Sequence, residues 1–145
     1  EYPIGTGDIF LISSNSVRNA VSIEMAQLAK SAGAKVIVLT NLAHSRSVNS
    51  RHSSGLKLYQ VADLVLDNLG EIGDAAIELE GLSGKTGATS TVIGAALIQA
   101  MMVEAASILL KKGIQPELFN SSNSDDGEIH NEALLAKYKP LVIGL

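Results

Sequence analysis

A run of hydroxyl and amide side chains follows the first apolar segment of the chain. Residues 9–13 are mostly apolar, and residues 13–19 read Ser-Ser-Asn-Ser-Val-Arg-Asn before a helical pattern begins. A phosphate there would meet free N–H groups at the positive end of the helix, several hydroxyl donors and the Arg18 guanidinium. Ser and Asn also cap helices without any ligand, so capping alone and capping with a ligand both fit. The candidate phosphate contacts in this run are Ser14, Asn15, Ser16, Arg18 and Asn19.

A second polar segment, residues 44–54, follows the next apolar run, residues 35–39. It holds two Arg and two His among eleven residues, in a chain whose formal net charge is −4. Ligands of open parallel sheets bind beyond the carboxyl ends of the strands, so both polar segments are expected to face one crevice. An exposed loop with incidental charges is the alternative. The candidate binding residues here are His44 and Ser45.

Many residues could transfer a proton, and the sequence does not choose among them. Proton transfer needs an acid and a base whose pKa values lie near neutrality. Glu104 lies in an apolar helical pattern, which favours a hydrogen-bonded packing residue over a base. The candidates are Glu78, Glu80, Glu104, His44, His52, His130 and Glu132.

Nucleotide and metal motifs are incomplete in this sequence. Gly84-Lys85-Thr86 ends like a P-loop, but Leu79 stands where the motif requires its first glycine. His44 and His52 are too far apart for a one-turn helical metal pair, and no nearby carboxylate completes a ligand set. We therefore expect no metal and no cofactor, with nucleotide binding at residues 84–86 as a minor alternative.

The order of the predicted elements defines the scaffold for these residues. Three short apolar strands alternate with helical patterns, the first of which stops at Gly33. Such strand-helix-strand units form right-handed crossovers and a parallel sheet. The predicted fold is an α/β three-layer sandwich with a mostly parallel sheet, flavodoxin-like in layout. The predicted strands are residues 9–13, 35–39 and 64–66, and the later short helices are residues 56–61 and 128–138.

Two longer segments separate these predicted elements. Residues 40–54 are predicted to form a long polar loop. Residues 68–88 are predicted to be irregular, although residues 76–80 alternate like a half-exposed edge strand.

One long segment, residues 91–112, is apolar on nearly every helical face, with Ser90 or Thr89 as its predicted cap. About 20 apolar residues can span a bilayer. However, polar residues including Glu104 interrupt the segment, and a carboxylate in mid-membrane is costly. We therefore expect no membrane span. Burial on both sides, with one face in a homodimer interface, is the prediction instead.

Length and composition limit the function classes. The 145 residues suffice for a single domain, because chains of this size bury roughly two-thirds of their unfolded surface. The acidic charge and the few aromatic residues argue against nucleic-acid binding. Without Cys, disulfides and thiolate zinc sites are excluded, and a cytoplasmic location is expected. No basic-then-apolar leader precedes the first strand, so no signal peptide is expected.

Together these segments resemble the sugar isomerase (SIS) domain family. Gly7-Asp8, the first strand, and Ser14-x-Ser16 with Asn19 are similar to a signature in which Gly-Asp leads to Ser-x-Ser-Gly-x-Thr/Asn. The resemblance covers roughly residues 7–112. Within the family, the chain looks closest to uncharacterised members near phosphoheptose isomerase. Further matching segments are Ala29-Lys30, Gly33-Ala34, residues 36–40, and residues 87–91, which look like the second hydroxyl-rich helix start of these domains.

The resemblance implies a ligand, a reaction and further site residues. It implies a phosphorylated sugar or sugar derivative, handled by a phosphosugar isomerase or lyase, or else sensed by a non-catalytic regulatory domain. On the same basis Thr40, Thr89 and Ser90 join the candidate phosphate contacts. Members often place a His or Glu near the C-terminal helix at a subunit boundary, which implies His130 and Glu132 as catalytic residues.

The chain departs from the family pattern in two respects. Val17 occupies the usual Gly position, where a β-branched residue resists positive φ and is expected to crowd a ligand. The family also implies a strand and helices ahead of Gly7, so we expect the chain to be the C-terminal part of a longer protein.

Overall fold

The fold is known from a computed structural model that describes residues 3–124 and 127–142. Strands and helices alternate through its first half, and helices dominate the second. The strands are β1 (Ile9–Ser13), β2 (Lys35–Thr40), β3 (Leu64–Asp67), β4 (Ala75–Ile77) and β5 (Thr86–Ala88). The helices are α1 (Ala20–Ser31), α2 (Leu42–Ser47), α3 (Leu58–Val61), α4 (Thr89–Lys111) and α5 (Gly127–Tyr138).

The main sheet has three strands in the order β1-β2-β3, and both pairs are parallel. In register, Ile9 lies beside Lys35 and Ile37 beside Leu64, so all three strands end at the same edge. The predicted α/β class and parallel sheet are confirmed. This common edge is where the polar segments of the sequence follow β1 and β2.

The core lies on the sheet face that α1 and α3 cover. Val36 and Val38 of β2 are fully buried against Ile23 and Ala26 of α1 and Leu58 of α3. Alternate residues of a strand point to opposite faces, so Leu39 lies on the other face. There the start of α4 approaches, because a Cβ built at Gly94 would lie 3.3 Å from Leu39 Cδ2.

Two segments differ from their sequence-based predictions. Residues 40–54 are not one continuous loop, because α2 forms within them, capped by Asn41, whose Oδ1 accepts from His44 N at 2.7 Å. Residues 68–88 contain a second sheet, in which β4 and β5 pair antiparallel. This sheet forms because β4 and β5 pair across residues 78–85. No local sequence pattern predicts such a pairing.

Contacts divide the described residues into two compact units, one of residues 3–100 and one of residues 101–124 and 127–142. The first holds the sheet and the polar segments at its edge. The second holds the end of α4 and α5, where Lys137 Nζ and Glu117 Oε1 lie 2.7 Å apart. The single domain expected from chain length stays a prediction.

Helix α4 is largely uncovered in the single chain. Gly94 alone is buried among the residues of α4, all of which the structure describes. Within the single chain, Gly94 is therefore the one fully covered position of the helix, while Ile93 and Leu97 are half-buried. By length and composition alone, α4 is also the one described helix that could cross a membrane, which is weak evidence for a span.

Candidate functional site

The loop after β1 is fixed to the ends of the neighbouring strands. Ser14 N donates to Leu39 O at 2.9 Å, and the carbonyl of Asn15 accepts from Thr40 Oγ1 at 3.0 Å. The side chains of Ser14, Asn15 and Ser16 are half-buried. The loop therefore has a defined path from the sheet to the start of α1.

Val17 adopts a backbone conformation that β-branched residues rarely take. Its φ is +49°, in the left-handed region that favours glycine, and its side chain is fully buried in the core. Its carbonyl accepts from Leu58 N at 3.1 Å, which ties the loop to α3. The expected crowding of a ligand by Val17 is therefore wrong, because its methyl groups point into the core.

The first turn of α1 has no carboxylate and no side-chain cap. Asn19 stands at the N-cap position in an extended conformation, and its side chain makes no capping hydrogen bond. Asn19 Oδ1 accepts from Arg51 Nη1 at 3.4 Å instead. The first N–H groups of α1 are therefore not neutralised by an acidic or capping side chain of that turn.

Two arginines converge at this helix start. Arg51 N donates to Arg18 O at 2.8 Å, so the second polar segment lies against the first, as the common strand edge predicts. Arg18 Nε is buried and has no hydrogen-bond partner in the part of the chain that the structure describes. A buried guanidinium nitrogen without a partner costs free energy unless an acceptor reaches it. The start of α1 is therefore positive and suited to an anion.

A buried amide network supports this edge. Asn41 and Asn68 follow β2 and β3 directly, and each is almost fully buried. Asn68 Nδ2 donates to Asn15 Oδ1 at 3.0 Å, and Asn41 Nδ2 donates to Gly70 O at 2.5 Å. Thr40 is fully buried as well, with its hydroxyl committed to Asn15. These side chains hold the loops in place from beneath.

The segment after β2 has its hydrogen bonds largely committed. Ser45 is fully buried, and its hydroxyl donates to Leu42 O at 3.1 Å. His44 Nδ1 accepts from Gly73 N at 3.3 Å, so the neutral ring carries its proton on Nε2. His52 Nδ1 accepts from Ser54 N at 3.2 Å, which places its Nε2 3.9 Å from Glu24. The two imidazole rings and the Ser45 hydroxyl thus fix the segment against its neighbours.

The start of α4 is occupied by a carboxylate from a distant residue. Asp74 Oδ1 accepts from Ser90 N at 2.7 Å, and Asp74 Oδ2 accepts from Ser90 Oγ at 2.9 Å. The backbone carbonyl of Asp74 accepts from Thr89 N and from Thr89 Oγ1, both at 2.9 Å. The predicted cap by Thr89 or Ser90 is therefore wrong, since both residues lie inside the helix and donate to Asp74.

His130 and Glu132 lie on α5, in the second unit. His130 Nε2 donates to Leu118 O at 2.9 Å, because a carbonyl can only accept, so the neutral ring keeps Nδ1 as its basic nitrogen. Both side chains are exposed. An exposed His130 with Nδ1 as its basic nitrogen could accept a proton. The role of His130 and Glu132 as catalytic residues stays a prediction.

The model of the SIS domain family matches residues 1–41, which contain β1, the loop after it, α1 and β2. Residues 1–41 belong to the SIS domain family. In this SIS domain the matched residues include the positive start of α1.

The SIS domain is also similar to curated bacterial proteins. A UPF0309 protein of Shouchella clausii is 44% identical over 137 residues, which are 94% of this chain and 56% of that protein. A UPF0309 protein of Listeria monocytogenes is 45% identical over 138 residues, 95% of this chain and 59% of that protein. The chain therefore spans a little over half the length of these relatives.

Sequence reasoning missed several residues that organise the edge of this SIS domain. The positions of Asn41 and Asn68 could have been predicted, because polar residues that directly follow buried parallel strands lie at one edge of the sheet. Arg51 was part of a candidate segment but was not singled out. Asp74 had no comparable signal, since its partners Thr89 and Ser90 are fifteen and sixteen residues away and meet it only through the β4–β5 pairing.

Proposed function

We propose that this chain binds a phosphorylated sugar or sugar derivative, with the phosphate at the start of α1. The observation that carries the proposal is the convergence there of an uncapped first turn, Arg51, and Arg18, whose buried Nε has no partner among the described residues. Helix N-termini bind phosphate through backbone N–H groups, and a guanidinium adds charge-assisted bonds.

The candidate contacts divide into two groups in this proposal. Ser14, Ser16, Arg18 and Asn19 line the loop and the helix start, and they contact the phosphate. Thr40 and Ser45 are fully buried with committed hydroxyls, so they position the loops. Asn15 joins both groups, because its backbone and side chain hold the network while its loop faces the ligand. His44 lies further along the edge, beside Gly73.

The reaction proposed is that of a phosphosugar isomerase or lyase. In an isomerase, a base removes a proton from the carbon next to the carbonyl while an acid protonates the carbonyl oxygen. His130 is proposed as the base through Nδ1, with Glu132 as its partner. The second candidate function is a regulatory domain that binds the same ligand without turnover, which the binding geometry at α1 supports equally well.

The assembly proposed is a cytoplasmic homodimer through α4, without membrane or nucleic-acid contact. Val92 and Val103 are 71% and 69% exposed, so much apolar surface of α4 is left for a partner. A second copy of the chain, which presents the same apolar helix, is the proposed partner.

Ligand binding is tested by calorimetry with a panel of sugar monophosphates, inorganic phosphate and ATP with magnesium. We expect a sugar monophosphate to bind more tightly than the other two. The Arg18→Met variant should lose affinity by roughly 1.5–3 kcal/mol, the scale of a hydrogen bond to a charged group. Lys139→Met removes the same charge from an exposed position on the second unit and is the control.

Two results would count against the proposal. Binding of ATP with magnesium in preference to every sugar phosphate would favour a nucleotide site, and equal affinities of the Arg18→Met and Lys139→Met variants would remove Arg18 from the site. Turnover then separates enzyme from sensor. His130→Gln keeps a donor for the Leu118 carbonyl, so a rate loss of about 100-fold or more would assign the base.

A further inference from the structure

The carboxylate at the start of α4 belongs to a residue in a strained conformation. Asp74 has a φ of +78°, which non-glycine residues rarely adopt. It directly precedes β4, and the pairing of Ala75 with Ala88 brings it opposite Thr89. The β4–β5 hairpin therefore places Asp74 at the N-terminus of α4.

Asp74 satisfies the groups that an anionic ligand would otherwise use there. Its carboxylate accepts from Ser90 N at 2.7 Å, from Ser90 Oγ at 2.9 Å and from Thr89 Oγ1 at 3.3 Å. These hydrogen bonds, that from Ser90 N above all, hold the pKa of Asp74 below its usual range. At neutral pH the helix start therefore already holds a negative charge.

Residues 68–74, which connect β3 to β4 and include Asp74, lie at the same strand edge as the α1 site. Asn68 bonds to Asn15 in the loop after β1 and to Gly70 N, at 3.0 Å in each case. A Cβ at Gly70 would lie 2.6 Å from Thr89 Oγ1, so only glycine allows this approach. The two helix starts are thus joined through one short, tightly packed segment.

The two ends of this edge have opposite charge. Arg18 and Arg51 lie at the α1 end, whereas Asp74 lies at the α4 end. Asp67 ends β3 at this edge, where its Oδ1 accepts from Leu42 N at 3.0 Å, so it adds a second carboxylate there. A second anionic group on a ligand would meet repulsion at α4, because like charges placed together cost free energy.

We propose that Asp74 is a specificity-determining residue that occupies the anion position at α4, so that the ligand carries one phosphate at α1 and an uncharged, hydroxyl-bearing end toward α4. This inference rests on the proposed function. It narrows the ligand class to monophosphates and sets their orientation. The carboxylate of Asp74 and the hydroxyls of Thr89 and Ser90 are suited to sugar hydroxyls, which both donate and accept hydrogen bonds.

The first test compares a hexose monophosphate with the matching bisphosphate by calorimetry. The wild-type protein should prefer the monophosphate by roughly tenfold or more. Asp74→Asn keeps the shape of the side chain, tolerates positive φ and removes the charge. The variant should still bind the monophosphate, with a smaller difference in affinity between monophosphate and bisphosphate. Asp8→Asn is the control, because Asp8 bonds to Gly5 N before β1, at the opposite edge of the sheet.

The second test uses inorganic phosphate and needs no sugar ligand. Asp74→Gly suits the positive φ and frees Ser90 N and Ser90 Oγ, so phosphate should fill the vacated position. We expect phosphate, compared with chloride at equal ionic strength, to raise the melting temperature of Asp74→Gly more than that of the wild type. Charge removal alone does not open this position, so Asp74→Asn should respond less than Asp74→Gly.

The outcomes separate this inference from the proposed function. If the wild type binds no sugar phosphate, the proposed function fails, and the phosphate response of Asp74→Gly still decides the role of Asp74. Equal binding of monophosphate and bisphosphate by the wild type would overturn the inference. So would an Asp74→Gly variant whose response to phosphate matches that of the wild type.

Discussion

Asn68 Nδ2 donates a hydrogen bond to Asn15 Oδ1 at 3.0 Å, which joins the end of β3 to the loop after β1. The same amide accepts from Gly70 N through Oδ1, and the residue is only 5% exposed. Two loops on either side of the central strand are thus held by one buried side chain. Their relative position at the proposed site depends on it.

Replacement of this amide should weaken both stability and binding. Asn68→Ala leaves Asn15 Oδ1 and Gly70 N without their partner, and a buried unsatisfied group costs about 1–3 kcal/mol. Urea denaturation measures the loss, and calorimetry measures sugar-phosphate affinity. Asn49→Ala, at an exposed position, should change neither. Equal stabilities of the two variants would show that Asn68 does not hold the edge together.

Substitutions at Val17 should invert the usual order of stability between Ala and Gly. Both variants lose core packing, but Gly also relieves the positive φ, a conformation that costs other residues about 1–2 kcal/mol. Val17→Gly should therefore unfold at higher denaturant concentration than Val17→Ala. At Val38, buried in β2, the ordinary order with Ala above Gly is expected. The same order at both positions would remove the strain argument.

Loss of the Ser16 hydroxyl should weaken ligand binding. We expect Ser16→Ala to cost roughly 1 kcal/mol of sugar-phosphate affinity, the scale of one hydrogen bond. Ser31→Ala alters a hydroxyl at the opposite end of α1, where Ser31 Oγ donates to Leu28 O, and serves as the control. Unchanged affinity in a folded Ser16→Ala variant would leave Ser16 with a structural role alone.

The carboxylate of Asp63 should make stability sensitive to acid. Hydrogen bonds from Val36 N and then Lys30 hold the pKa of Asp63 below its usual value of 3.8. Because the folded pKa is lower than the unfolded one, the stabilisation is complete above the unfolded value and is lost as pH falls through the folded value.

The Asp63→Asn variant tests this linkage. Its stability deficit relative to the wild type should be largest near pH 6 and should shrink as the pH falls below about 4. Chemical denaturation across that range measures it, with Glu80→Gln at an exposed position as the control. A deficit that does not change with pH would show that the Asp63 charge contributes nothing to folding.

A charge on α4 should disrupt the proposed dimer. Met102→Lys places an ammonium group on the apolar helix, and burial of an unpaired charge costs several kcal/mol. Sedimentation velocity at micromolar concentration should show a wild-type dimer and a monomeric or aggregated variant. Met25→Lys on α1 is matched in exposure, 48% against 49%, and should leave the dimer intact. The dimer is falsified if a well-folded wild-type monomer with ligand affinity predominates.

The sequence by itself determined the elements whose signals are local. Short apolar runs gave the three strands, and the pattern ending at Gly33 gave α1, because strand and helix periodicity are carried by neighbouring residues. The parallel order followed from their alternation with helices. The Arg-containing segments could be placed at one edge for the same reason, since parallel strands all end on the same side.

Only the tertiary structure decided the chemistry of the two helix starts. The positive φ of Val17 accompanies burial of its side chain against α1 and α3, and Arg18 Nε is buried without a partner among the described residues only in the folded chain. Asp74 reaches Ser90 only because β4 pairs with β5. Such contacts join residues far apart in the chain, so their free energy appears only when the strands and helices are already assembled, and no local pattern encodes them.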